Sequence, residues 1–164
     1  MHNTSYKLME KAVDTYLKSD DRLRILDVGS YNVNGTYKPL FNQLLWVYEG
    51  LDIRPGPNVD IVMDTEGVWE NIPDASYDVV ISGQCLEHCE RPWVIAEAIA
   101  RVCKIDGLAF ITAPWNHHIH RHPMDCWRIL PDGMTALMTK HVRFKQLECI
   151  SNAKDTFFIG KRCV

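Results

Sequence analysis

Arg24-Ile-Leu-Asp-Val-Gly-Ser-Tyr-Asn-Val-Asn-Gly35, with Asp52 at the end of the next apolar run, decides how this chain folds. The apolar residues around Asp27 form a short buried strand, Gly29 breaks it, and Thr36 to Leu45 can restart as a helix. A strand that passes through a glycine turn into a helix leaves free backbone N–H groups over a crevice. Leu44-Leu-Trp-Val-Tyr-Glu-Gly-Leu-Asp52 then brings a carboxylate to the same edge, where it can accept hydrogen bonds from the two hydroxyls of a ribose. The pattern predicts a site for an adenosine-containing ligand.

Working outward, Thr4 to Lys18 carries apolar residues at helical spacing (Tyr6, Met9, Ala12, Val13, Tyr16, Leu17), so a helix fills the segment 1–22. Strands are predicted at Leu23–Val28, Leu45–Leu51, Val59–Met63, Tyr77–Ser82 and Leu108–Ala113. Helices are predicted at Tyr37–Leu45, around Val68, at Arg91–Cys103 with Asp106-Gly107 as its stop, and at Pro131–Lys140. Alternation of buried strand and crossover helix makes this an α/β protein with a Rossmann-like, mostly parallel sheet and helices on both faces. The C-terminal segment breaks the rhythm. Phe144–Ile150 and Thr156–Lys161 are joined by Ser151-Asn-Ala-Lys-Asp155, a link too short for a crossover helix, so an antiparallel hairpin closes the sheet.

The 164 residues suffice for one domain, 1–164, with a single core. A net charge of −3 gives no general attraction to nucleic acid or to anionic membranes. No apolar run reaches the ~20 residues of a membrane span, and the first residues lack the apolar stretch of a signal peptide. Six cysteines are scattered without a Cys-x-x-Cys pair, which argues against a common zinc site and for reduced thiols in a cytoplasmic protein.

With these elements in place, the chain resembles the class I S-adenosylmethionine-dependent methyltransferases over nearly its whole length, a family with seven strands ending in a hairpin. Ile25-Leu-Asp-Val-Gly29 is similar to its first motif, Leu51-Asp-Ile53 to its second and Met63-Asp-Thr65 to its third. Tyr77-Asp-Val-Val-Ile-Ser-Gly-Gln-Cys-Leu-Glu-His88 is similar to the fourth, and Arg101 to Pro114 to the fifth. The resemblance implies that Gly29 lets the backbone approach the methionyl end of the cofactor while Asp27 orders the loop with Ser30 and Tyr31. It implies further that Asp52 holds the ribose with Ile53 against adenine, that Asp64 and Thr65 meet the adenine amino group, and that Ser82 and Gln84 line the sulfonium end. One position departs from the pattern. Tyr31 stands where the family has a second glycine, so its ring must turn away from the cofactor or stack beside it. Read singly, Asp27, Asp52 and Asp64 are ordinary turn formers; their arrival at three successive strand ends favours a ligand site.

Methyl transfer from a sulfonium is an in-line displacement, so the enzyme must position an acceptor and take its proton. Two clusters could do this: Gln84-Cys-Leu-Glu-His88 after the fourth strand, and the His-rich loop 114–131 after the fifth, with His117, His118, His120 and His122. His88, His122 and Asp125 are the candidate proton-transfer group, and Glu87, His88 and His122 are candidate ligands for magnesium or manganese. The arrangement resembles the small-RNA 2′-O-methyltransferases and the ubiquinone-pathway O-methyltransferases, where a Glu-x-x-Glu-His motif and a later histidine hold a metal; Gln84 replaces the first glutamate here. Equally, His88 can pack structurally, the histidine loop can be a solvated lid, and Asp125 a local turn residue.

His122 to Gly133 resembles a segment of small methyltransferases found near glycosyltransferases, which implies a hydroxyl on a sugar or glycan as acceptor. Trp115 and Trp127 could stack on such a ring or seal the loop onto the sheet. Three other readings stand beside this one. A nicotinamide dehydrogenase lacks its Gly-x-Gly-x-x-Gly; an RNA 2′-O-methyltransferase sits poorly with the net acidity; a non-catalytic cofactor-binding subunit, as a homodimer or with a partner, suits the minimal size.

Overall fold

The computed structural model describes residues 3–63 and 67–164. Helix α1 (Asn3–Tyr16) leads into strands β1 (Leu23–Val28), β2 (Trp46–Asp52), β3 (Ile61–Val62) and β4 (Tyr77–Gly83). Helix α2 (Pro92–Val102), strand β5 (Cys103–Pro114), helix α3 (Pro131–Thr135) and the hairpin β6 (Phe144–Ser151) and β7 (Asp155–Arg162) follow. The seven strands lie in the order β3-β2-β1-β4-β5-β7-β6. β3 to β5 are joined through parallel ladders, whereas β7 runs antiparallel to both β5 and β6. The mostly parallel sheet with its terminal hairpin is as the sequence patterning predicts.

Period two sorts the core into two layers. Ile25, Val79, Ile81, Phe110, Phe157 and Ile159 face α1, whose Met9, Ala12 and Val13 cover them. Their neighbours Leu26, Val28, Val80, Ala109, Ile111 and Phe158 face Ile95, Ala96 and Ile99 of α2, together with Met134 and Met138. Strands covered on both sides read as continuous apolar runs, which is why β1 and β4 are legible as buried strands.

Three local expectations are corrected. The helix at Tyr37–Leu45 is a single 3₁₀ turn, Lys38–Phe41, and Leu44 is 97 % exposed. Pro39 permits the first turn, but Asn42 leaves helical geometry at φ −90°, ψ 62° and no apolar surface waits for Leu44. Near Val68, Gly67–Ile72 forms turns rather than a helix. Finally, α2 spans Pro92–Val102, within a residue of the expected Arg91–Cys103 at each end, but Asp106-Gly107 is not its stop. That pair instead bends β5 within its length: Asp106 takes φ +64°, and the register against β4 slips between Tyr77 and Val79.

Candidate active site

A cavity of about 390 Å³ opens at the carboxyl ends of β1, β2 and β4, where parallel α/β sheets place their ligand crevices. Its size falls within the usual range for small-molecule sites. Asp27, Gly29, Ser30, Tyr31, Asp52, Ile53 and Gln84 line it, as do His88 and His122. Ser82 does not: its hydroxyl is fully buried and donates to Val28 O at 2.9 Å, tying β4 to β1. Asp64 and Thr65 lie outside the described residues.

The loop after β1 is not a rim of free N–H groups. Gly29 N and Ser30 N both donate to Leu51 O, Tyr31 N to Asp52 Oδ2, and Asn32 N to Pro57 O. Without a following α-helix the loop satisfies these four donors on the end of β2 and the turn beyond it. Gly29 holds φ +79°, and a Cβ there would meet Cys85 Cβ at 2.5 Å. The glycine is required by the packing of its own loop. Tyr31 turns its ring onto the turn after β2, against Gly56 and 5.7 Å from the Arg54 guanidinium. The ring therefore stands beside the Asp52 end of the cavity and does not cross it.

Asp27 sits under this loop. It accepts a short hydrogen bond from Tyr48 OH, and Asn58 Nδ2 reaches both Tyr48 OH and Ser30 O at 3.0 Å. Burial raises the Asp27 carboxyl to about 7, offset in part by the Tyr48 hydroxyl and reinforced by the nearby Asp52. Tyr48 and Asn58 were not legible as site residues. Tyr48 lies mid-strand opposite Ile25, and Asn58 has positive φ (69°) in a turn; neither carries a sequence signal beyond residue type. Asp52 accepts backbone N–H groups from Tyr31 and Arg54 and retains lone pairs toward the cavity. With Ile53, Met63, Trp69 and Ile95 as apolar walls, these residues fit a nucleoside with a free diol.

The second half of the site is the histidine mouth. β4 ends in a 3₁₀ turn, Leu86–His88, and the loop after β5 folds over it. His88 Nδ1 bonds Met124 O, and His120 Nδ1 approaches His118 O at 3.3 Å. A carbonyl only accepts, so these bonds place the ring proton on Nδ1 and leave each Nε2 as a lone-pair donor. Glu87 is fully buried, and neither carboxylate oxygen meets a hydrogen-bond partner among the described residues. Burial pushes its carboxyl up to about 8. Buried carboxylates without partners are rare and call for a chemical account. Ligand atoms of Glu87, His88 and His120 all lie within 4.8 Å of one another. Two imidazoles and one carboxylate with open space beside them form a donor set that fits a divalent metal.

His122 is not part of that group; its ring stands 6.3 Å from His88 on the cavity wall. Asp125 takes His120 N at 2.6 Å and both terminal nitrogens of Arg128. Arg128 holds the Asp125 carboxyl well below the usual range, and Arg128 also ties the carbonyls of His117 and His118. The pair shapes the loop and sets His120. The two tryptophans fasten the same loop: Trp115 Nε1 donates to Asn152 O and Trp127 Nε1 to Cys89 O, and neither reaches the cavity.

A family model described as "Methyltransferase domain" matches residues 1–153. Among solved structures, a chain of the complex between the Haloferax volcanii Trm112 methyltransferase activator and a methyltransferase superposes with TM-score 0.73 at 13% identity, over 98% of this chain and 90% of that one. A SAM-dependent methyltransferase from Aquifex aeolicus gives 0.69 at 12%, over 99% of both chains. The Burkholderia thailandensis 1,6-didemethyltoxoflavin-N1-methyltransferase, with bound 1,6-didemethyltoxoflavin and S-adenosylhomocysteine, gives 0.72 at 12%, over 99% of this chain and 78% of that one. Curated proteins offer no significant match to the sequence.

Proposed function

The chain belongs to the methyltransferase-domain family, and on that footing we propose that it is an O-methyltransferase acting on a hydroxyl of a sugar, glycan or similar acceptor. The observation that carries the reading is the continuity of two half-sites in one cavity: the Asp27–Asp52 end suits a nucleoside, and the His88–His120–His122 end suits a group that must lose a proton. S-adenosylmethionine, when bound, supplies an electrophilic methyl group. The chain's own residues do the remaining work. Asp52 would accept the ribose hydroxyls, Ile53 would cover one adenine face and Asp64 and Thr65 would recognise its amino group, while the Asp27–Tyr48 hydrogen bond holds the loop bearing Gly29, Ser30 and Tyr31.

At the mouth, Glu87, His88 and His120 would hold magnesium or manganese, with His120 taking the place the sequence suggested for His122. Such an ion would supply a Lewis acid that lowers the pKa of the acceptor hydroxyl. His122 then stands on the cavity wall as the proton acceptor, while Asp125, committed to Arg128 and His120 N, orients rather than exchanges protons. Residues 121–124 are exposed, so the mouth admits the end of a large acceptor. The cysteines, scattered without a Cys-x-x-Cys pair, suit a reducing, cytoplasmic setting.

Calorimetric titration of S-adenosylhomocysteine, with and without manganese and a chelator, tests both halves. Micromolar binding that strengthens with the ion supports the proposal. Absence of binding in every condition removes the autonomous enzyme. One observation then favours a second reading: the structural neighbour complexed with an activator makes a cofactor-binding chain that needs a partner subunit the next reading to test.

A further inference from the structure

We infer that Asp155 is a positioning residue for this cavity, pinning the carboxamide of Gln84 so that its oxygen accepts a hydrogen bond from the α-ammonium end of the cofactor. Gln84 follows β4 directly at φ +59°, a conformation uncommon outside glycine and concentrated at functional sites. Its backbone N donates to Thr112 O at 3.0 Å, which fixes where the side chain starts. The side chain lines the cavity, and its Nε2 donates to Asp155 Oδ1 at 3.1 Å. A carboxylate offers lone pairs, so only the NH₂ of the amide can face it. The amide oxygen is thereby turned away from Asp155, toward the cavity.

Asp155 is itself well held. It is fully buried at the first position of β7, opposite Pro114 at the end of β5, and Thr4 Oγ1 of α1 reaches its Oδ2 at 3.3 Å. Three elements that are distant in sequence thus converge on one amide. A neutral, oriented acceptor selects an N–H or O–H on the ligand. The inference rests on the methyltransferase reading: with the ribose at Asp52 on β2, a cofactor crossing the end of β1 reaches Gln84 on β4 with its amino-acid end. The N–H group carried there is the α-ammonium.

The test is calorimetry of S-adenosylhomocysteine and of 5′-methylthioadenosine, which lacks the amino-acid end, on the full chain and its variants. Gln84→Met weakens S-adenosylhomocysteine about tenfold, the value of one hydrogen bond to a charged group, and leaves methylthioadenosine unchanged. Gln84→Glu alone also weakens it, because two carboxylates then face each other. Adding Asp155→Asn to Gln84→Glu restores affinity to at least that of wild type, since the new amide donates where the old carboxylate accepted and the new carboxylate faces the ammonium. Unchanged methylthioadenosine binding shows that each variant is folded. Equal binding of S-adenosylhomocysteine by all variants, equal loss for both ligands, or no rescue in the double variant overturns the inference. A wild-type chain that binds neither ligand overturns the methyltransferase reading instead, so the two failures are distinguishable.

Discussion

Asp27→Asn in the unliganded protein isolates the electrostatic tension beneath the glycine loop. Burial raises the carboxyl from its ordinary 3.8 to about 7, so the folded state binds this proton more tightly than the unfolded chain does. The folded chain therefore carries the larger share of bound protons between those values, and stability falls as pH rises through that window. Integrating the two titrations gives a penalty of about 2 kcal/mol at pH 5 and about 4 kcal/mol at pH 8. Full burial leaves little solvent screening to reduce it. Asparagine keeps an acceptor for Tyr48 and carries no charge, so it escapes the penalty. The stability difference between Asp27→Asn and wild type is therefore expected to move in favour of the variant by about 2–3 kcal/mol from pH 5 to pH 8. Urea unfolding followed by tryptophan fluorescence at four pH values measures it directly. A difference that stays flat with pH, or that favours wild type increasingly as pH rises, refutes the reasoning.

Other expectations follow from neighbouring contacts. Tyr48→Phe removes the hydroxyl that Asp27 accepts from; it should cost about 1–3 kcal/mol at pH 8 and clearly less at pH 5, read by the same unfolding curves. Gly29→Ala should lower stability by about 2–4 kcal/mol, combining its left-handed φ with the clash against Cys85; adding Cys85→Gly should recover the steric part only. Glu87→Gln should abolish any manganese dependence of S-adenosylhomocysteine binding while leaving binding in chelator unchanged, and persistence of the manganese effect would place the ion elsewhere.

Apolar runs carried the reading of the sheet, because strands covered on both faces must be apolar along their buried stretches, as Ile25–Leu26, Val79–Ile81 and Ala109–Ile111 are. Propensity misled where tertiary support was missing: Tyr37–Leu45 has helical spacing, yet nothing packs on Leu44. Asp106-Gly107 reads in the sequence as a helix stop and not as a bend inside a strand, since only the pairing with β4 reveals that β5 has already begun.

The sequence by itself determined the α/β sheet, its hairpin end and the strand ends at which Asp27 and Asp52 stand, because local period and connection length set these. Only the tertiary structure decided that the loop N–H groups are consumed by Leu51 and Asp52. It alone placed Tyr48 and Asn58 beneath Asp27, aimed Gln84 through Asp155, and made His120 rather than His122 the companion of Glu87 and His88. The physical reason is common to all four. A side chain's hydrogen-bond partner depends on where distant strands and the Arg128–Asp125 clasp carry the backbone, and no spacing along the chain encodes that path.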